Sequence, residues 1–285
     1  GNKAFAFTCK DYRGQTLNSG NNGTLNVYVD LQPQIGLNEN LVVNLANSIS
    51  CKNDGAGQRN DEVSMLSGSA FGGALLNFTG SVKYYGSSYP FPLNSPTSSH
   101  NFTSGSYTPW DTQLYLTPIS TAGGTLINQG EKVASVIMYQ RGSNISDGGQ
   151  VATATFTWNL LANNSVIIPT GGCDVSSRNI TVSLPDYPGN VSIPATIRCA
   201  KNQSISFFLS GNTVDSGNSV FSNTSSFSPA QGVGIQLLRN GTIVPANTNI
   251  SLGTVGTSPV DLGLSATYAR TGGHVAAGNV QSIIG

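Results

Sequence analysis

Apolar and polar residues alternate with a period of two along most of the chain. In Leu25-Asn26-Val27-Tyr28-Val29-Asp30-Leu31, the residues Leu25, Val27, Val29 and Leu31 share one face, the pattern of a half-buried strand. Residues 40–45, 133–139 and 152–160 read as further strands, the last two separated by a polar loop over 141–150. Another runs from 165 to 168, before Pro169. The second half continues in the same style at 179–184, 195–199, 204–209, 234–239 and 262–268. Asn240-Gly241, directly after Leu237-Leu238-Arg239, predicts a hairpin turn. No amphipathic helix longer than two turns is visible. Strands spaced by roughly eight to twelve residues, with turn residues between them, predict an all-β protein of sandwiches or barrels.

Composition sharpens this picture. The 34 Gly and 13 Pro suit short strands and turns. At 285 residues with 38% hydrophobic content, the chain is long enough for two domains with real cores. Charged residues make up 9%, against about 25% in an average soluble protein, and the net charge is zero. That balance excludes a basic nucleic-acid binder, which needs clustered Lys and Arg, and speaks against a polybasic membrane-surface protein. No apolar run reaches the roughly 18 residues of a membrane span. Ala4-Phe5-Ala6 has the A-x-A form of a signal-peptidase site, which would make residues 1–6 a leader remnant and Phe7 the first residue.

The four cysteines, Cys9, Cys51, Cys173 and Cys199, contain no CxxC pair, so a zinc knuckle is not expected. They fall two and two, and the simple reading is one disulfide per domain, 9–51 and 173–199. This implies an oxidising compartment. Four buried free thiols are the alternative, which suits so polar a sequence less well. Pro169-Thr170-Gly171-Gly172 is the best boundary candidate, because a strand ends there and a new cysteine pair opens. An ordinary Gly-Gly turn inside one domain is the alternative, and the paired cysteine blocks favour the boundary.

Chemistry-bearing residues are sparse. His100 and His274 sit in polar surroundings, and no HExxH, P-loop, GxSxG or EF-hand pattern occurs. No metal site and no cofactor is expected. Asp54 and Asp61, with Glu62 beside them, are a carboxylate pair to consider for glycoside hydrolysis. Their neighbours are polar, whereas a catalytic acid needs an apolar pocket to raise its pKa. The chain is therefore not expected to be an enzyme. The same residue types suit the reading of sugar hydroxyls, since Asp accepts strongly while Asn and Gln both donate and accept. Asn53, Asp54 and Asp61 would form one half of such a pocket, with Gln140 and the polar loop through Asp147 as the other. Composition alone favours the blander alternative of solvated turns. Asn-x-Ser/Thr triplets such as Asn77-Phe78-Thr79 would matter only in a eukaryotic secretory protein.

Longer stretches change the balance. Asn40-Leu41-Val42-Val43-Asn44-Leu45, Cys51-Lys52-Asn53-Asp54, Tyr89-Pro90-Phe91-Pro92, Leu114-Tyr115-Leu116-Thr117-Pro118 and Pro169-Thr170-Gly171-Gly172-Cys173-Asp174-Val175 resemble the type 1 fimbrial tip adhesins of the FimH kind. The second half is closer still, in Leu184-Pro185-Asp186-Tyr187-Pro188-Gly189, Phe227-Ser228-Pro229-Ala230-Gln231-Gly232-Val233-Gly234 and Tyr268-Ala269-Arg270-Thr271-Gly272-Gly273. The resemblance spans nearly the whole chain. It implies a two-domain adhesin of the chaperone–usher pathway, reaching the fimbrial tip at the bacterial surface by way of the periplasm. Residues 7–168 would be a β-sandwich lectin domain, 169–172 a linker and 173–285 an incomplete immunoglobulin-like pilin domain. The implied partners are a terminal hexose of host glycans, mannose first, a periplasmic chaperone, an usher and an adjacent pilin subunit that donates a strand. A galactose- or N-acetylgalactosamine-specific adhesin, and a structural tip pilin without sugar binding, are the alternatives.

Carried over residue by residue, the resemblance assigns sugar contacts to Phe7 through its backbone amine, and to Asn53, Asp54, Asp61, Gln140, Asn144 and Asp147. The amine would exist only if residues 1–6 were removed. Several positions depart from the family. Gly142 and Ile145 stand where the family has Asn, with Asn144 a substitute for the latter. Gly55 replaces a rim aromatic and Arg59 an apolar rim residue, so looser selectivity beyond the terminal sugar is expected. The second loop is longer, through Val151 and Ala152. After the segment 280–284 the chain stops at Gly285, where family members continue by a few strand residues.

Overall fold

Period-two alternation is carried into buried and exposed faces in the computed structural model, which describes residues 7–20 and 23–285. The possible leader remnant, Ala4-Phe5-Ala6, lies outside the described residues. The chain forms two compact units, Gly1–Gly172 and Cys173–Gly285. Both are all-β sandwiches, and the described residues contain only two short 3-10 turns besides strands.

In the N-terminal unit one sheet runs in the order His100–Phe102, Arg59–Met65, Lys132–Asn144, Gln150–Ala162, Gly23–Val29. A second sheet contains Thr108–Pro109, Ile49–Asn53, Phe7–Asp11 and Thr16–Asn18, and a third Asn40–Asn44, Thr112–Leu116, Gly80–Tyr84 and Ser87–Phe91. Their inner faces enclose one core, in which Trp110, Trp158, Tyr84, Phe7, Phe102 and Phe156 are fully buried. Along Gln150–Ala162 the residues Ala154, Phe156, Trp158, Leu160 and Ala162 are all buried and the residues between them are not. That is the burial expected of a strand with one core face.

The polar loop expected over 141–150 is strand over more of that span than expected. The strand from Lys132 continues to Asn144, and its partner begins at Gln150, leaving only 145–149 outside the ladder. Arg141, Gly142, Ser143 and Asn144 stay in register with Glu62, Asp61, Asn60 and Arg59. Polar side chains are compatible with a strand when the backbone has partners on both sides, and here it has them.

In the C-terminal unit Val233–Arg239 pairs Leu264–Arg270, which also pairs Asn190–Ser192. The strand through Cys173 pairs Thr196–Cys199, which pairs Val260–Asp261, and Gln203–Phe207 pairs Ile250–Val255. Asn240 and Gly241 both have positive φ, 49° and 83°, and join Val233–Arg239 to Thr242–Ile243 in a two-residue hairpin. The strand expected at 179–184 does not form. Leu184 packs on the core while Tyr268 donates to the Pro185 carbonyl at 2.8 Å, so side chains rather than a ladder hold this segment. Pro185 and Pro188 cannot donate to a ladder. Residues 169–172 are strand at both ends, closing Val166–Pro169 and opening Gly171–Val175.

Disulfides join Cys9 to Cys51 and Cys173 to Cys199, and no described cysteine is free. In both cases the two residues are directly opposite each other on paired strands.

Candidate functional site

Two polar side chains occupy positions that the strand pattern reserves for the core. Along Arg59–Met65 the inward residues are Asp61, Val63 and Met65, and along Lys132–Asn144 they include Val136, Met138 and Gln140. Asp61 and Gln140 thus continue two apolar stripes toward the same end of the sheet. Both are fully buried, and Gln140 Nε2 donates to Asp61 Oδ1 at 2.7 Å. Their other oxygens, Asp61 Oδ2 and Gln140 Oε1, have no hydrogen-bond partner. A buried oxygen left unpaired costs roughly 1–3 kcal/mol, so two together mark a place built to receive donors.

Burial pushes the Asp61 pKa up to about 7; the Gln140 bond acts against this, the Asp54 charge adds to it and the Arg59 charge opposes it. Gly142 lies opposite Asp61 in the ladder. A Cβ there would stand 3.0 Å from Gln140 Nε2 and 3.3 Å from Asp61 Oδ1, so the missing side chain leaves space beside the pair. Asn101 supports the strand by accepting from the Asp61 backbone N at 3.0 Å and donating to Asn60 at 2.9 Å. Sequence reasoning missed Asn101, whose only signal was its nearness to the core residue Phe102.

Asp54 stands on the loop after Ile49–Asn53. It accepts from Thr8 Oγ1 at 2.6 Å and pairs with Lys52 at 3.4 Å. Thr8 was also missed, since a lone Thr in a strand carries no sequence signal. Asn53 is brought to the same region but has a different task. Its amide donates to the Arg59 carbonyl at 2.7 Å and the Phe102 carbonyl at 2.9 Å, and its Oδ1 accepts from Gly55 N at 2.8 Å. The side chain is spent on the backbone and shapes the 54–59 loop.

Phe7 faces Asn53 across the ladder, and its ring is buried against Phe102 and Phe156 at 5.5 and 6.1 Å. Ala6 precedes it, so its nitrogen is an amide in this sequence. Asp147 lies in the 145–149 turn, and Asn144 is the last strand residue before it. There Asn144 N donates to the Gly149 carbonyl at 2.9 Å and Asp147 Oδ1 accepts from Gly149 N at 2.8 Å. One bond ties this turn to the first loop, from Ile145 N to the Gln58 carbonyl at 3.0 Å. The structure therefore joins Asp61, Gln140 and, through its field, Asp54 into one site. Asn144 and Asp147 stand at a neighbouring turn, and no described hydrogen bond links their side chains to the pair.

Among the described residues no group of His, Cys, Asp and Glu is placed to hold a metal ion. A cavity of about 360 Å³ in the C-terminal unit is lined by Arg239, Asn240, Thr242, Ile243, Val244 and Ile250, with no carboxylate.

The sequence profile of the family described as "FimH, mannose binding" matches residues 9–159, more than half of the chain and all of the sheet that carries Asp61 and Gln140 except residues 160–162. The chain belongs to this family. It is 55% identical over 282 residues to the type 1 fimbrin D-mannose specific adhesin of Escherichia coli strain K12, covering 99% of this chain and 92% of that protein. It is 38% identical over 292 residues to the S-fimbrial protein subunit SfaH of Escherichia coli O6:K15:H31, covering 99% and 96%. Both relatives are fimbrial proteins by name, not enzymes. The crystal structure of the CupB6 tip adhesin from Pseudomonas aeruginosa aligns at a TM-score of 0.28 and 16% identity over 99% of this chain and 93% of that one, too slight a likeness to bear on the fold.

Proposed function

We propose that the chain is a fimbrial tip adhesin whose N-terminal unit binds a terminal hexose, D-mannose first, at the bacterial surface. The observation that carries this reading is the buried Asp61–Gln140 pair with its two unpartnered oxygens. Vicinal hydroxyls of a hexose can donate to both, and water is displaced from a site already shaped by the ladder. Asp54, held by Thr8 and Lys52, adds a charged acceptor at the rim. Asn53 serves the site indirectly through the loop, and Asn144 and Asp147 would close over a bound sugar from the second turn. Where residues 1–6 are removed, the Phe7 amine adds a donor.

The C-terminal unit fits a pilin domain completed by a strand from an adjacent subunit, after delivery by a periplasmic chaperone and an usher. Its core is less well closed than that of the N-terminal unit. Ile197, Ile205, Leu209, Val233 and Leu264 keep 6–8% exposure, and Phe208 and Phe227 are 58% and 77% exposed. A strand inserted there would cover apolar surface and pair open backbone groups.

The test is titration calorimetry of the chain with the methyl glycosides of D-mannose, D-galactose and N-acetylgalactosamine. Mannoside binding that is weakened at least about tenfold by Asp61→Ala is expected, the loss of one charged hydrogen bond being roughly 1.5–3 kcal/mol. Binding of galactoside alone would assign the site to another sugar, and no binding would leave a structural tip subunit.

A further inference from the structure

Arg59 opens the strand that carries Asp61, two positions away and so on the same face. Its stem lies along Gly55, where a Cβ would stand only 3.1 Å from the Arg59 Cδ. A side chain at 55 would displace it; glycine leaves the guanidinium a fixed bed at the mouth of the site. The neighbouring charges have partners of their own. Asp54 is paired with Lys52 and Glu62 with Arg141, both at 3.4 Å, and Asp61 is held by Gln140. Among the described residues the Arg59 guanidinium makes no hydrogen bond and no ion pair, although it is half-buried and its field reaches Asp61. A cation with five donors in a planar fork, seated and unmatched beside a binding site, is suited to a two-oxygen anion.

We propose that Arg59 forms an oxyanion subsite next to the Asp61–Gln140 pair, taking a carboxylate or sulfate borne by the sugar residue that adjoins the terminal hexose. Two residues of strand separate the Arg59 and Asp61 Cα atoms by about 7 Å, roughly the length of one sugar ring along the glycan. The adjoining residue, rather than the terminal one, is therefore the one it meets. This rests on the hexose-binding reading above.

The experiment compares three methyl glycosides by calorimetry on the full chain: an α-mannosyl-hexose, the same compound 6-O-sulfated on the second ring, and its analogue with a uronic acid as the second ring. The expected ratio of neutral to anionic Kd is about 10 at low ionic strength, falling to below about 2 in Arg59→Gln. In the unaltered chain the ratio should also shrink as salt rises from about 0.02 to 0.5 M, because an exposed ion pair is screened over that range. This second measurement does not depend on the variant folding. A preference for the sulfate alone or for the uronic acid alone identifies which source supplies the anion. A ratio near 1 in the unaltered chain overturns the subsite and leaves the hexose reading standing. So does a ratio that survives Arg59→Gln or high salt. No binding of any of the three overturns both.

Discussion

Asp61 keeps its proton in the folded chain up to a pKa of about 7, against 3.8 for an ordinary aspartate. Between those values the folded state binds more protons than the unfolded one, so stability falls as pH rises through the window and levels off above it. Each unit of difference is worth about 1.4 kcal/mol, so the decline is of the order of a few kcal/mol. Urea unfolding at pH 4.5 and pH 7.5 should show this decline in the natural chain and a much flatter profile in Asp61→Asn; equal slopes would sink the assignment. A sugar hydroxyl donating to the carboxylate favours its ionised form. Mannoside binding should therefore release a proton near pH 6.5 and tighten as pH rises to about 7.5, which calorimetry in buffers of different ionisation heat will register. Asn53 makes the opposite kind of prediction. Asn53→Ala strands one buried and two part-buried backbone groups, at a cost of about 2–3 kcal/mol in stability. Asp54→Ala should change stability by less than about 1 kcal/mol while weakening sugar binding. The sequence could not separate the tasks of these two neighbours, because Asn and Asp both suit hydroxyls and both occur in turns, and nothing in residue type says that Asn53 is spent on backbone groups. Asp61 and Gln140 were legible only as residue types suited to sugar hydroxyls and through the family resemblance; the strand Arg59–Met65 that buries Asp61, and the extension of the other strand through Gln140, came from the structure.

Strands and staples were read with uneven success, and the differences have physical causes. Long alternating segments such as Gln150–Ala162 were clear because one face is wholly apolar. Short strands between Arg59 and Leu116 were largely missed, since their Gly, Ser and Thr residues resemble turns until neighbouring strands supply the pairing. The segment 179–184 has the right alternation and no ladder, its proline-bounded end being anchored by Leu184 and Tyr268 instead. The Cys9–Cys51 bond couples the two strands that hold Thr8 and Asn53, across a sequence separation of 42. Replacing both cysteines by Ala should lower the stability of the N-terminal unit by about 2–5 kcal/mol. Two calorimetric transitions are expected, of which only the one belonging to that unit should move; a shift in both would show that the units do not unfold separately.

At the scale of the whole molecule, the two units differ in how fully each closes its own core. Most core residues of the first, such as Trp110, Trp158, Val136 and Leu114, have no exposure, while Ile197, Ile205, Leu209 and Leu264 in the core of the second keep 6–8%. A peptide of alternating apolar residues that binds the second unit should raise its melting temperature with peptide concentration, as any ligand of the folded state does. No shift at saturating peptide would argue for a sandwich complete in itself. The division of the chain at Gly172 and Cys173 gives the first unit a mechanical property. The end proposed to hold the sugar lies at Asn144 and Gln150, while the chain leaves beyond Ala162, at the other end of two paired 13-residue strands about 40 Å long. Tension between a tethered sugar and the exit point acts along those strands, across hydrogen bonds that stand perpendicular to them. Such bonds must shear together, whereas a load applied across the open end of the hairpin, at residues 132 and 161, would open them one after another like a zipper. Optical-tweezer pulling should thus find a much higher unfolding force along the first axis than along the second, and equal forces would refute it. The geometry that positions two buried oxygens would then also set the direction in which the unit best bears a load.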